Sequence, residues 1–222
     1  MKIPYLFATV FLATTLITAS AFAQDKAATP AAAAATSSAA QAPPDMQQMM
    51  QQMMELAKLN ENHKLLTSLN GTWSFTVKSW MDGDTSKKPE ESKGTAVRKS
   101  IMDGRYVAMD VTGNMEMAGP DGKKKSLTFK GHGLEAYDNV KKKFVGTWVD
   151  NMGTGIMMSE GDYDAATKTF TYTGEVEAIP GMKQKIREVV KLDDKDHMTM
   201  EWYEDRQGKE MKTMEIDYAR KK

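Results

Sequence analysis

The sequence predicts an all-β fold: an up-and-down antiparallel barrel of about ten strands, preceded by a short methionine-rich amphipathic helix. Three observations predict it. From Gly71 onward apolar and polar residues alternate with a period of two. Turn signals cut that pattern into short runs of even length. No long helical repeat separates one run from the next, which argues against parallel βαβ units.

The first element is an export signal. Lys2 precedes an apolar run from Ile3 to Ala19, and Ala21-Phe22-Ala23 provides the small residues of a cleavage site. The run is too short for a comfortable membrane span. Residues 1–23 are therefore expected to be a signal peptide cleaved after Ala23. The mature protein would be periplasmic or secreted, with no membrane anchor. No cysteine follows the run, so a lipid anchor there is excluded. Residues 24–45 are Ala, Pro, Ser, Thr and Gln with almost no large apolar side chain. They read as a disordered spacer, because such a segment buries too little surface to offset its ordering entropy.

At Asp45 the character changes. Met46, Met49, Met50, Met53, Met54 and Ala57 recur at helical spacing with glutamines between them, and Asp45 is placed to cap the helix. A second helical stretch follows from about Asn62 to Leu69, so 46–69 forms a helical segment.

The barrel domain is expected over 70–222. Trp73, Phe75 and Val77 share one face of the first strand. Val107, Met109 and Val111 do so later, then Phe144, Gly146 and Trp148, then Phe170 and Tyr172. Met198, Met200 and Trp202 follow, and Met214, Ile216 and Tyr218 end the chain. Turns are expected at Asp82-Gly83, Asp103-Gly104, Pro120-Asp121-Gly122, Tyr137-Asp138-Asn139, Asn151-Met152-Gly153, Pro180-Gly181, Asp193-Asp194 and Gln207-Gly208. Closing the sheet would remove its edges without any disulfide.

Charge and composition exclude several functions. Lysine plus arginine equals aspartate plus glutamate, at 30 each, and losing Lys2 leaves one acidic charge in excess. That balance argues against a nucleic-acid partner or a polybasic membrane surface. The absence of cysteine excludes disulfides and thiolate metal sites.

Gly71-Thr72-Trp73 opens the first strand, and Tyr218-Ala219-Arg220 ends the last. This pairing resembles the lipocalin-like (calycin) barrels, in which an arginine of the last strand packs over the first-strand indole. The resemblance makes Gly71, Trp73 and Arg220 a structural signature. From about Leu65 to Arg220 the chain also resembles the domain-of-unknown-function 1579 family. The motifs are Leu69-Asn70-Gly71-Thr72-Trp73, Asp103-Gly104-Arg105-Tyr106, Gly131-His132-Gly133 with Tyr137-Asp138-Asn139, Phe144 to Asp150 with Gly153-Thr154, and Glu160-Gly161 with Tyr163-Asp164. That resemblance implies a lipocalin-like barrel and no established activity.

Residues of the strands supply the candidate ligand site. Trp148 and Asp150 share a face, and Arg105 is expected by parity to face the Val107–Met109–Val111 core. Arg187, Glu188, Glu160 and Glu201 are further strand charges, and His132 and Tyr137 flank the glycine-rich run. Arg105, His132, Tyr137, Trp148, Asp150, Glu160, Arg187 and Glu201 thus form the candidate set for a small ligand. Gly131-His132-Gly133-Leu134-Glu135-Ala136 formally matches a dinucleotide fingerprint, but it continues into a turn and a strand rather than a helix. Its glycines instead suit a close approach inside a barrel. His132 is the interior candidate for a haem axial ligand.

The leading expectation is a non-enzymatic barrel that binds a small molecule. One alternative is a hydrolase-like or other enzyme using interior Arg, Asp, Glu and Tyr side chains. The other gives the methionine helix a role in Cu(I) binding, with Met46, Met49, Met50, Met53 and Met54 as soft ligands, or in self-association. No cofactor is specified by the sequence.

Overall fold

The computed structural model describes residues 45–118 and 123–222. The export segment, the spacer up to Pro44 and the turn at Pro120-Asp121-Gly122 lie outside the described residues.

Two helices precede the sheet. Helix α1 spans Met46–Leu56, and its start is capped as expected: the Asp45 carboxylate accepts from the Gln48 amide at 2.7 Å. Helix α2 spans Glu61–Ser68, one residue earlier at each end than the sequence pattern gives. Its start is a reciprocal box. The Asn60 side chain accepts from the Asn62 amide at 3.0 Å, while the His63 Nδ1 accepts from the Asn60 amide at 3.1 Å.

Ten strands follow: β1 (Gly71–Ser79), β2 (Glu90–Ile101), β3 (Tyr106–Ala118), β4 (Lys124–Asp138), β5 (Lys143–Asp150), β6 (Met157–Asp164), β7 (Thr169–Ile179), β8 (Met182–Leu192), β9 (His197–Arg206) and β10 (Lys209–Arg220). Each pairs antiparallel with its sequence neighbours, and β1 also pairs with β10, closing the barrel. The fold is the closed antiparallel barrel that the period-two pattern predicts.

The register sets what faces inward. Trp73 lies opposite Arg220, Phe75 opposite Tyr218 and Gly94, and Val111 opposite Ala96. On the other wall Phe144 pairs with Tyr137 and Gly161, and Tyr172 pairs with Glu188. One end of the barrel is filled. Leu66 and Leu69, from α2 and the residue after it, pack with Val107, Phe144, Phe170 and Tyr172. Phe144 and Phe170 meet edge to face with centroids 5.0 Å apart, and Tyr163 tilts onto Phe170 at 4.5 Å. Helix α2 therefore serves as a plug.

The signature forms as the resemblance implies. The Arg220 guanidinium lies 4.2 Å from the centre of the Trp73 ring. Gly71 has φ +135°, and a β-carbon there would come within 2.8 Å of Arg220 Nη1, so this position needs glycine twice over.

Candidate functional site

Ten strands enclose a wider space than the eight that suffice for one small ligand. Several inward side chains do not fill it. Met109, Phe129, Trp148, Trp202, Met214 and Tyr218 face the core by register yet remain only half-buried. They pack on the buried core on one side and keep solvent-accessible surface on the other.

A charged group sits among these inward side chains. Arg98 of β2 faces inward beside Met109 and is 6% exposed. Its Nη1 donates to Glu135 Oε1 of β4 at 3.0 Å, and its Nη2 bonds the other carboxylate oxygen, making a two-pronged ion pair. Burial lowers the Arg98 pKa less than Glu135 raises it, so the guanidinium stays charged. Its Nε, however, has no partner among the described residues.

Glu188 of β8 joins the group between Tyr172 of β7 and Trp202 of β9. Burial, and secondly the Glu135 charge, push its carboxyl up to about 7 against the pull of Arg98. Burial likewise raises the Tyr172 and Tyr218 hydroxyls. Among the described residues none of these three side chains makes a hydrogen bond: the influences on each are burial and charge alone. Glu188 and Tyr218 are half-buried, and the Tyr218 ring packs on Phe75 with centroids 5.8 Å apart.

The residues singled out from sequence distribute differently. Trp148 and Tyr137 point inward. The Trp148 indole lies flat across the glycine-rich stretch of β4: a β-carbon on Gly131 would come within 2.2 Å of the ring. This is the close approach that the glycines were expected to permit. Trp148 Nε1 donates to Asp150 Oδ2 at 2.9 Å, and Asp150 Oδ1 accepts from the Met152 amide at 2.9 Å. Asp150 thus orients the indole and the following turn. Tyr137 packs edge to face on Phe144, 4.9 Å away, beneath the charged group.

The other five candidates do not converge on the interior. Arg105 precedes β3 in a helical conformation, after a 3-10 turn at Met102–Gly104. The strand parity that would aim it inward does not extend through that turn. It is exposed, and its Nη2 reaches the Ala57 carbonyl at 3.4 Å. His132 alternates with the inward Gly131 and Gly133, so it points out, where Nδ1 meets Asp110 at 2.8 Å. The interior haem-ligand expectation for His132 is corrected by that orientation. Glu160 lies on the outer wall, paired with Lys141. Arg187 alternates with Glu188 and stacks outside on the Tyr203 ring at 3.9 Å, bound to Glu210. Glu201 also faces out, bonded to Tyr203 and Lys212.

Two outer grooves involve these residues. One, about 460 Å³, lies along Arg187, Tyr203 and Glu210, and the other, about 420 Å³, along Asp110, His132 and Asp150. Both are shallow. Among the described residues no group of three or more His, Asp or Glu side chains is placed to hold a metal ion. The methionines of α1 lie exposed, from 45% at Met49 to 75% at Met46.

Sequence reasoning missed Arg98, Glu135 and Tyr218 as a group. The available signal was strand parity. Arg98 stands two residues from Ala96, and Glu135 two residues from Gly133 and from Tyr137, so each breaks an inward face with a charge.

Residues 58–220 match the family model described as a protein of unknown function, DUF1579. The chain belongs to that family. The comparison with curated proteins finds no match.

Proposed function

We propose that this family member binds a small molecule of mixed polarity inside its barrel. The observation that carries the reading is a set of inward polar groups that make no hydrogen bond among the described residues: the buried Arg98 Nε, the Glu188 carboxyl, and the Tyr172 and Tyr218 hydroxyls. A polar group held away from bulk water without a partner costs about 1–3 kcal/mol. Water or a ligand must meet that need, and a wall of Met109, Phe129, Trp148 and Trp202 offers an apolar surface around it. The segment 1–23 supports a periplasmic or secreted setting, where such a barrel would capture its ligand outside the cytoplasm.

Native mass spectrometry of the full chain, purified without detergent, tests the reading. The expected result is a bound mass of one small molecule per chain that is lost on denaturation. Arg98→Met should release it, because the variant dismantles the polar centre. A chain that carries no adduct and takes up none from a library of amphiphiles would end the proposal.

A further inference from the structure

We propose that the lumen selects a cation: a protonated amine on an apolar body, with Glu188 as its counter-ion. The inference rests on lumen binding as proposed above and names its ligand class.

The charge arrangement is the first argument. Both terminal nitrogens of Arg98 are taken up by the Glu135 carboxylate. Among the described residues the one cation at the centre of the barrel is therefore already neutralised, and its free Nε offers a single donor. An entering carboxylate or phosphate would meet that spent guanidinium and two carboxyl groups. An entering ammonium would meet Glu188, which makes no ion pair among the described residues and feels only an Arg98 already bound to Glu135.

Hydrogen bonding is the second. An ammonium group has three donors and no acceptor. The unpartnered groups across the lumen are mainly acceptors of the right number: the Glu188 carboxylate, the Tyr172 hydroxyl and the Tyr218 hydroxyl. They come from β8, β7 and β10, and they share one electrostatic neighbourhood, since Glu188 raises the pKa of both tyrosines. Glu188 is faced by Tyr172 from β7, Trp202 from β9, Tyr218 from β10, Arg98 from β2 and Glu135 from β4. Burial holds its carboxyl near 7 without a ligand. An arriving cation would favour the ionised form, so the site is poised to gain its charge when the ligand supplies the opposite one.

The walls are the third. Trp148 and Trp202 present large aromatic surfaces, which favour both an apolar body and a cationic head. The indole nitrogen of Trp148 is already bonded to Asp150, so its polar edge is satisfied.

The test compares three ligands of one chain length: dodecylamine, dodecanol and dodecanoate. Each is titrated below its aggregation threshold into the full chain at pH 7.5, with binding read by calorimetry and native mass spectrometry. The amine should bind about tenfold more tightly than the alcohol, and dodecanoate most weakly, as expected for one charge-assisted contact in a partly desolvated site. Glu188→Gln should abolish the amine preference, so that the amine and the alcohol bind alike. Tyr218→Phe should lower amine affinity by about threefold, the loss of one neutral acceptor. Near-ultraviolet circular dichroism establishes that each variant keeps its barrel. Tightest binding of dodecanoate overturns the proposal, as does an amine preference that survives Glu188→Gln. Equal binding of all three overturns the cation while leaving lumen binding intact. Binding of none overturns both.

Discussion

The two ends of the same barrel treat polar groups in opposite ways. At the plugged end nearly every one is satisfied. Trp73 Nε1 donates to the Leu69 carbonyl at 3.1 Å, and Arg220 donates to the carbonyls of Ser68, Asn70 and Lys195 while stacking on Trp73. The Asn70 Oδ1 is the exception. In the lumen above, one ion pair is complete and the groups around it are not. A fold that can satisfy its donors so fully at one end has the means to do so at the other. The contrast fits a stabilising role for the plug and the recognition role proposed for the lumen.

The largest effect expected from breaking this contrast is at the plug. Arg220→Ala removes the stack on Trp73 and three hydrogen bonds to carbonyls of the α2–β1 connection and the β8–β9 turn. A loss of about 3 kcal/mol is expected, combining a cation–π contact with charge-assisted hydrogen bonds. Urea denaturation followed by tryptophan fluorescence measures it. A loss below about 1 kcal/mol would mean that the plug is held by α2 packing alone.

The lumen predicts a change of opposite sign. Glu188 titrates near 7 in the folded chain, against an ordinary value of 4.5. The folded state therefore holds a proton that the unfolded state has released between those values. Stability is greatest below about 4.5 and declines as pH rises toward 7. Glu188→Gln cannot ionise, so it escapes that decline. At pH 8 the ligand-free variant should be more stable than the parent by on the order of 2 kcal/mol, and at pH 4 the two should coincide. Urea midpoints at the two pH values decide it. A variant less stable than the parent at pH 8 would give Glu188 a structural partner and remove it from the recognition role.

Much of the plug was legible in sequence, and little of the lumen. Gly71, Trp73 and Arg220 are legible through the resemblance to lipocalin-like barrels, whose last-strand arginine packs over the first-strand indole. Alternation revealed Phe144, Trp148, Phe170 and Tyr172, since an apolar residue at every second position has one physical explanation. Charged residues have two. Arg98 lies between Val97 and Lys99, and Glu135 between Leu134 and Ala136, so neither stretch alternates cleanly. Arg187 and Glu188 are adjacent, which places them on opposite faces, but choosing the inner one requires the register with Tyr172 and Trp202. Arg105 shows the converse failure. Strand parity does not reach it through a turn whose backbone is not extended.

The smallest effect separates α1 from both regions. None of its residues is buried, and what ties it to the barrel lies at its C-terminal side: Asn139 Nδ2 donates to the carbonyls of Leu56 and Lys58 at 2.8 and 2.7 Å. The methionine face thus contributes no packing to the plug, whereas α2 buries His63 and Leu66. Replacing Met49 and Met53 together with glutamine keeps helix propensity and removes two thioethers from one face. Barrel stability should change by less than about 0.5 kcal/mol, the ordinary range for exposed sites. A Cu(I) titration and sedimentation of the same variant then read the helix without interference from the fold. A loss above about 1 kcal/mol would show that the methionines pack on the barrel, and the plug would extend to α1.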